Sequence, residues 1–152
     1  VLSPEAAMFA LLSAHMIIFW LSQDSNVTPP VCLAAFTAAA IAETPPMATG
    51  LRSWKIAKGL YIIPLLFAYT PLLGGSWPQI LTVFIFALAG LYAFTCALQG
   101  HMENQISLAV RGLLLLLAVA LLTPSTPVFQ AAALGFLVLL LVVNLRKKSG
   151  PG

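Results

Sequence analysis

Apolar runs long enough to cross a bilayer occupy most of this chain, and that excludes a soluble globular fold. Trp77–Leu98, Ile106–Leu122 and Val128–Leu145 approach or exceed the roughly 20 residues that a helix needs to span the hydrocarbon core. Ala6–Leu21, Val31–Ala42 and Gly59–Leu73 are shorter. Of the 152 residues 61% are hydrophobic and 7% charged, whereas ordinary soluble domains carry about 25% charged residues. Too little polar surface exists to cover such runs in water. The expected fold class is all-α and integral to a membrane: one Thr-Pro-Pro-broken transmembrane helix, a short amphipathic interfacial helix, then four transmembrane helices.

Ser3-Pro4-Glu5 is a helix start, with a capping hydroxyl, proline at the first helical position and an acid in the first turn. The first helix is expected over Ala6–Leu21 and the second over Val31–Ala42, separated by the polar stretch Ser22–Pro30. At about 1.5 Å per residue the two are roughly 24 and 18 Å long, each too short to span alone. They form either one crossing broken near its middle or a re-entrant hairpin. Ala34, Ala35, Ala38 and Ala39 would let other helices approach closely. Glu43-Thr44-Pro45-Pro46 ends the second half. Residues 51–58 then space Arg52, Lys55 and Lys58 three apart beside Leu51, Trp54 and Ala57, the pattern of a helix lying in the membrane interface. Pro64 and Pro71 are expected to kink the short crossing 59–73. The last two crossings are nearly uniform large aliphatics at Leu113–Leu117 and Leu137–Val143, suited to lipid contact.

The formal charge of +3 comes from small basic clusters and Arg111, and it describes topology. The segment holding Arg52, Lys55 and Lys58 is basic and Gly74-Gly75-Ser76 is uncharged. Arg111 follows the next loop, Thr123–Pro127 is uncharged, and the tail Arg146-Lys147-Lys148 is basic again. By the positive-inside rule the basic side, and with it the C-terminus, is cytoplasmic. No basic patch interleaved with aromatics points to nucleic acid. Cys32 and Cys96 sit far apart in apolar runs and read as small buried hydrophobes, with neither a disulfide framework nor metal-ligand spacing. The start at Val1, without a basic leader, reads as a piece of something longer.

The polar stretch carries the candidate chemistry. Pro29 and Pro30 have no N–H, so the carbonyls of Ser25 and Asn26 lose their intrahelical partners, and the helix must unwind. Open backbone at membrane depth is tolerated only where it is buried in protein or lines a polar cavity. Those carbonyls, with the side-chain oxygens of Ser25, Asn26 and Thr28, would make an oxygen-rich site for a hard cation such as Na+. Thr28 is expected to cap the second half-helix with Pro29 at its first position, aiming the positive end of that dipole at the same spot. Adjacent cation and anion sites at a broken helix are the layout of ion-coupled secondary transporters. Asp24 is either a ligand of this site or a solvated helix end. His15 reads as a neutral packing group, His101 as a solvated loop residue, and Trp20, Trp54 and Trp77 as interfacial or packing aromatics. A plain surface loop at Thr28-Pro29-Pro30 is the competing structural reading.

Ala14-His15-Met16-Ile17-Ile18-Phe19-Trp20, then Val27-Thr28-Pro29-Pro30-Val31-Cys32-Leu33-Ala34-Ala35-Phe36, then Pro46-Met47-Ala48-Thr49-Gly50, and finally Ile62–Leu73 with Pro64 and Pro71 occur in an order that resembles a known family. It is similar to the C-terminal part of the large permease of tripartite ATP-independent periplasmic (TRAP) transporters, above all the fused permeases that work with TAXI-type binding proteins. The resemblance covers about residues 4–75. Residues 76–152 would be additional C-terminal helices, 77–98, 106–122 and 128–145, with a basic tail. The resemblance implies a sodium-driven importer of small organic acids in the bacterial inner membrane. Its partners would be a periplasmic substrate-binding protein, the rest of the permease chain with its small membrane domain, and the lipid bilayer. No organic cofactor is implied, only Na+ as coupling ion. It also favours the broken crossing, with residues 51–58 as a cytoplasmic arm. Thr28, Pro29 and Pro30 are the matched motif positions. Trp20 stands where a tyrosine is more usual, and Cys32 replaces a small residue. The alternative is a small structural or assembly subunit with no ligand site. A membrane enzyme is not expected, because His15 and His101 have no catalytic partners at suitable spacing.

Overall fold

The computed structural model describes residues 3–146. Among them every regular element is helical: α1 (Pro4–Asp24), α2 (Leu33–Ile41), α3 (Pro46–Ile56), a 3-10 segment (Ala57–Ile62), α4 (Ile63–Tyr69), α5 (Trp77–Gln99), α6 (Leu108–Leu122) and α7 (Pro127–Arg146). Three of them, α1, α5 and α7, are long and apolar enough to cross a membrane, and α6 is a shorter apolar helix. The chain divides into two compact units, Val1–Gly75 and Ser76–Gly152. Lys147 and Lys148 of the basic tail lie outside the described residues.

In the first unit the Ser3 hydroxyl accepts the Ala6 N–H at 3.2 Å, as the sequence predicts, and α1 starts at Pro4. The helix does not stop at Leu21. It continues through Ser22 and Gln23 to Asp24, and its 21 residues make a rod about 31 Å long. The expectation of two half-helices, each too short to cross, is corrected: the break comes after a helix of full crossing length, and α2 is only 9 residues. It ends in a Schellman turn, with Glu43 N–H on the Ala40 carbonyl at 3.4 Å and Thr44 N–H on the Ala39 carbonyl at 3.0 Å. Glu43 takes the left-handed conformation there at φ 52°.

Pro45-Pro46 then starts α3, five residues earlier than the expected arm 51–58, because proline suits a helix's first turn. The expected kinked crossing 59–73 resolves differently. Residues 57–62 wind as a 3-10 helix, and α4 holds seven residues. Pro64 lies in the first turn of α4, where its missing N–H costs no helical bond, and Pro71 lies beyond the helix end.

The second unit packs α5 against α6, with α7 beside them. Burial on α5 falls on Ala87, Gly90, Ala93, Cys96 and Ala97, all small, and on α6 on Leu114, Leu117, Ala118 and Leu121. In a bilayer, lipid tails are as apolar as leucine, so helix pairing depends on close packing, and small residues permit it. Leu114 and Leu121, set into the seam, are among the largest fully buried side chains. The aliphatic runs expected to face lipid are therefore split. Leu114, Leu117 and Leu137 belong to the core, while Leu115, Leu116 and Leu139 stay exposed. Cys96 is buried in this core and unpaired, as its apolar setting predicts.

Polar contacts close the ends of these helices. α5 terminates at Gly100, whose φ of 75° suits glycine. Arg111 reaches back to that end, donating Nε–H to the Ala97 carbonyl at 2.7 Å and an Nη2 hydrogen to the Leu98 carbonyl at 3.1 Å. The charge used in the sequence to mark topology thus satisfies two orphan carbonyls at the negative end of a helix dipole. The α5–α6 loop is tied to α7 by two bonds. Asn104 N–H donates to Asn144 Oδ1 at 3.0 Å, and Asn104 Nδ2–H donates to the Asn144 carbonyl at 2.8 Å.

Two glycines separate packing from helix propensity. A Cβ on Gly90 would meet Leu122 Cγ at 2.7 Å, whereas one on Gly135 meets nothing within 4 Å. Gly90→Ala should destabilise the protein by about 1–3 kcal/mol, and Gly135→Ala should stabilise it by roughly 0.5–1 kcal/mol. Thermal unfolding in detergent micelles should shift in opposite directions for the two variants.

Candidate functional site at the break after α1

Pro29 and Pro30 withhold the donors that the Ser25 and Asn26 carbonyls would meet in a continuing helix, and the last carbonyls of α1 take hydrogens from side chains. Ser25 Oγ–H donates to the Ser22 carbonyl at 2.6 Å, Asn26 Nδ2–H to the Gln23 carbonyl at 3.1 Å, and Thr28 Oγ1–H to the Asp24 carbonyl at 2.6 Å. Three consecutive carbonyls are capped by the three predicted polar site residues. Backbone donors add to this, Asn26 N–H on Gln23 and Val27 N–H on Asp24, each at 3.1 Å.

Two expectations are corrected here. Thr28 does not cap the second half-helix, whose N-cap position is Cys32 with no side-chain capping bond. α2 begins at Leu33, behind Cys32 at φ 20°, and not at Pro29. The Asn26 carbonyl is not open either: it accepts the Ala34 N–H at 3.2 Å. That bond also occupies a first-turn donor of α2 that was expected to face an anionic group. Pro29 is half-buried and Pro30 exposed, across a cis peptide.

The oxygens keep their acceptor capacity. A hydroxyl has one hydrogen and two lone pairs, and an amide oxygen has two. With their single hydrogens on α1, Ser25 Oγ and Thr28 Oγ1 can only accept, and Asn26 Oδ1 is an acceptor beside an amide nitrogen that has a second hydrogen. Thr28 is also hydrogen-bonded to the Tyr61 hydroxyl. Since the Thr28 hydrogen goes to a carbonyl, Tyr61 is the donor, and one Thr28 lone pair remains. Tyr61 has no sequence signal; it lies 33 residues away on the 3-10 segment. The same segment grips α1 a second time, where Trp20 Nε1–H donates to the Leu60 carbonyl at 3.1 Å. The Trp20 ring meets Phe67 of α4 edge-on at 6.0 Å.

Asp24 is not a solvated helix end. It is 5% exposed, and its Oδ2 is buried with no hydrogen-bond partner among the described residues. Burying a carboxylate without compensation is costly, and its place at the C-terminal end of α1 adds repulsion from the helix dipole. No group of three or more His, Cys, Asp or Glu side chains assembles among the described residues. Carboxylate and neutral oxygens are hard ligands, whereas thiolate- or imidazole-bound metals ask for others.

α3 is held against the break by Gly50. A Cβ there would come within 2.7 Å of Cys32 Sγ and 3.3 Å of Phe36 Cε1, so the bare glycine is what lets α3 lie this close. Cys32 is fully buried and unpaired. His15, outside this cluster, donates Nδ1–H to the Leu11 carbonyl at 2.7 Å, a hydrogen bond to a neighbour as expected of it. His101 is exposed in its loop.

No family model, curated protein or solved structure matches this chain.

Two substitutions test the packing of the break. Gly50→Ala should cost about 1–3 kcal/mol through the clash with the thiol, and adding Cys32→Ala should recover part of that loss. A double-mutant cycle on thermal stability measures the coupling, and strict additivity would contradict the contact. Tyr61→Phe removes the donor to Thr28 and should cost about 0.5–1.5 kcal/mol by the same measurement.

Proposed function

We propose that this chain is the C-terminal part of a TRAP-type permease, a sodium-coupled secondary transporter of the bacterial inner membrane that imports small organic acids delivered by a periplasmic binding protein. On this reading the C-terminus is cytoplasmic, and the break after α1 forms one wall of the cation site. The observation that carries the proposal is Asp24, buried with an unpartnered carboxylate oxygen at the residue before the chain unwinds. Three helices of crossing length supply the membrane setting. The resemblance of residues 4–75 supplies the family.

Asp24 Oδ2 would provide the negative charge for Na+. The remaining lone pairs of Ser25, Asn26 and Thr28 would provide neutral oxygen ligands, and Tyr61 would fix the orientation of Thr28. The bound cation would neutralise the carboxylate, so sodium binding and the stability of this region are linked. Substrate selection would fall mainly to parts of the permease outside this chain. A structural subunit with no ligand accounts for the three capped carbonyls but leaves the buried acid without a purpose.

Sodium-dependent uptake by the complete permease is the deciding measurement. Asp24→Asn keeps the shape and removes the charge, and the sodium concentration for half-maximal uptake should rise by at least about tenfold, the effect of losing roughly 1.4 kcal/mol of binding. Thr28→Ala should raise it by a smaller factor. Unchanged sodium dependence in Asp24→Asn, at equal amounts of protein in the membrane, rejects the site.

A further inference from the structure

The arm helix α3 shows two surfaces that the break does not use. Gly50 is buried toward Cys32 of the α2 region. Met47, Leu51 and Trp54 recur at helical spacing and form an apolar stripe, with relative exposures of 53%, 45% and 38%. Arg52 and Lys55 are exposed, and Lys58, just past the helix, holds its Nζ over the Trp54 ring at 5.2 Å from the centroid. No acidic residue occurs in the sequence between Glu43 and Glu103, so these cations have no acid of their own segment to pair with.

We infer that α3 and the start of the 3-10 segment form a docking surface for anionic phospholipid headgroups. Arg52, Lys55 and Lys58 face the phosphates, while Met47, Leu51 and Trp54 enter the acyl boundary. Charge complementarity identifies the lipid as anionic. The uncovered apolar stripe beside the cations identifies a membrane surface over an acidic protein, which would match the charges and leave the stripe in water. Trp54 joins the two halves, since an indole with an ammonium over its face suits the headgroup level. The inference needs only a bilayer and is independent of sodium coupling.

Each cation near an anionic surface favours association about fivefold, so three approach 100-fold at low salt, and screening within about 8 Å reduces this at physiological ionic strength. The test reconstitutes the full chain in phosphatidylcholine nanodiscs containing either phosphatidylglycerol or phosphatidylcholine with brominated acyl chains at matched mole fraction. Brominated chains quench nearby indoles, and the difference between the native protein and Trp54→Phe isolates Trp54. Enrichment of the anionic lipid at Trp54 should be at least about fivefold at low salt, fall toward unity in high salt, and vanish in the R52Q/K55Q/K58Q variant. Equal quenching by both lipids overturns the inference, as does enrichment that survives neutralisation of all three cations. Absence of quenching by either lipid, with Trp54 emission shifting only when polyglutamate is added, would also overturn it in favour of an acidic protein partner. The native protein alone, compared between lipids and salts, decides the matter even if the triple variant is unstable.

Discussion

A proline pair donates no backbone hydrogen bond, and the architecture of the first unit depends on how α1 compensates. Pro29 and Pro30 withhold the donors that the Ser25 and Asn26 carbonyls would meet in a continuing helix, so α1 ends and its last carbonyls must be closed locally, since open ones are expensive wherever water is scarce. Ser25, Asn26 and Thr28 supply the hydrogens instead. That lets α1 run to full crossing length and brings Asp24 into the interior at its last residue. It also uses the only hydrogens of the Ser25 and Thr28 hydroxyls. A helix end that is closed for structural reasons leaves, by the same bonds, two hydroxyl oxygens turned to accept.

The second unit obeys a different rule. Its seam is built from small residues on α5 and leucines on α6, and Arg111 and Asn144 bond at helix ends. Arg111 is fully engaged in closing α5. The first unit, by contrast, keeps a carboxylate oxygen without a partner among the described residues and a basic segment with no acid in its own sequence. The buried carboxylate at Asp24 thus belongs to the half of the chain whose secondary structure is most interrupted.

Much of this architecture is readable from residues in order. Ser3-Pro4 marks the start of α1, Pro29-Pro30 marks the break, and the apolar runs bound α5, α6 and α7 to within two residues. The extent of α1 is not readable, because capping of its end depends on side-chain geometry that hydropathy does not encode. Polar Ser22 and Gln23 look like a loop and are helix. Thr28 has the sequence context of an N-terminal cap for α2 and acts as a C-terminal cap for α1, since a hydroxyl near a break can turn either way. Tyr61 and Gly50 act on the break from distant segments and leave no periodic trace. The acid at position 24 is visible in the sequence, but only its burial separates a site from a solvated end.

α7 is apolar nearly all the way round, so van der Waals packing alone distinguishes poorly between rotations of this helix about its long axis. Asn144 removes that degeneracy. Its side-chain oxygen and backbone carbonyl are both held by Asn104, and only one azimuth of the helix satisfies the two together. A single buried amide can specify alignment in this way because a mismatch strands polar atoms. Asn144 thus serves α7 as a keyway serves a shaft: it adds little grip and fixes the angle.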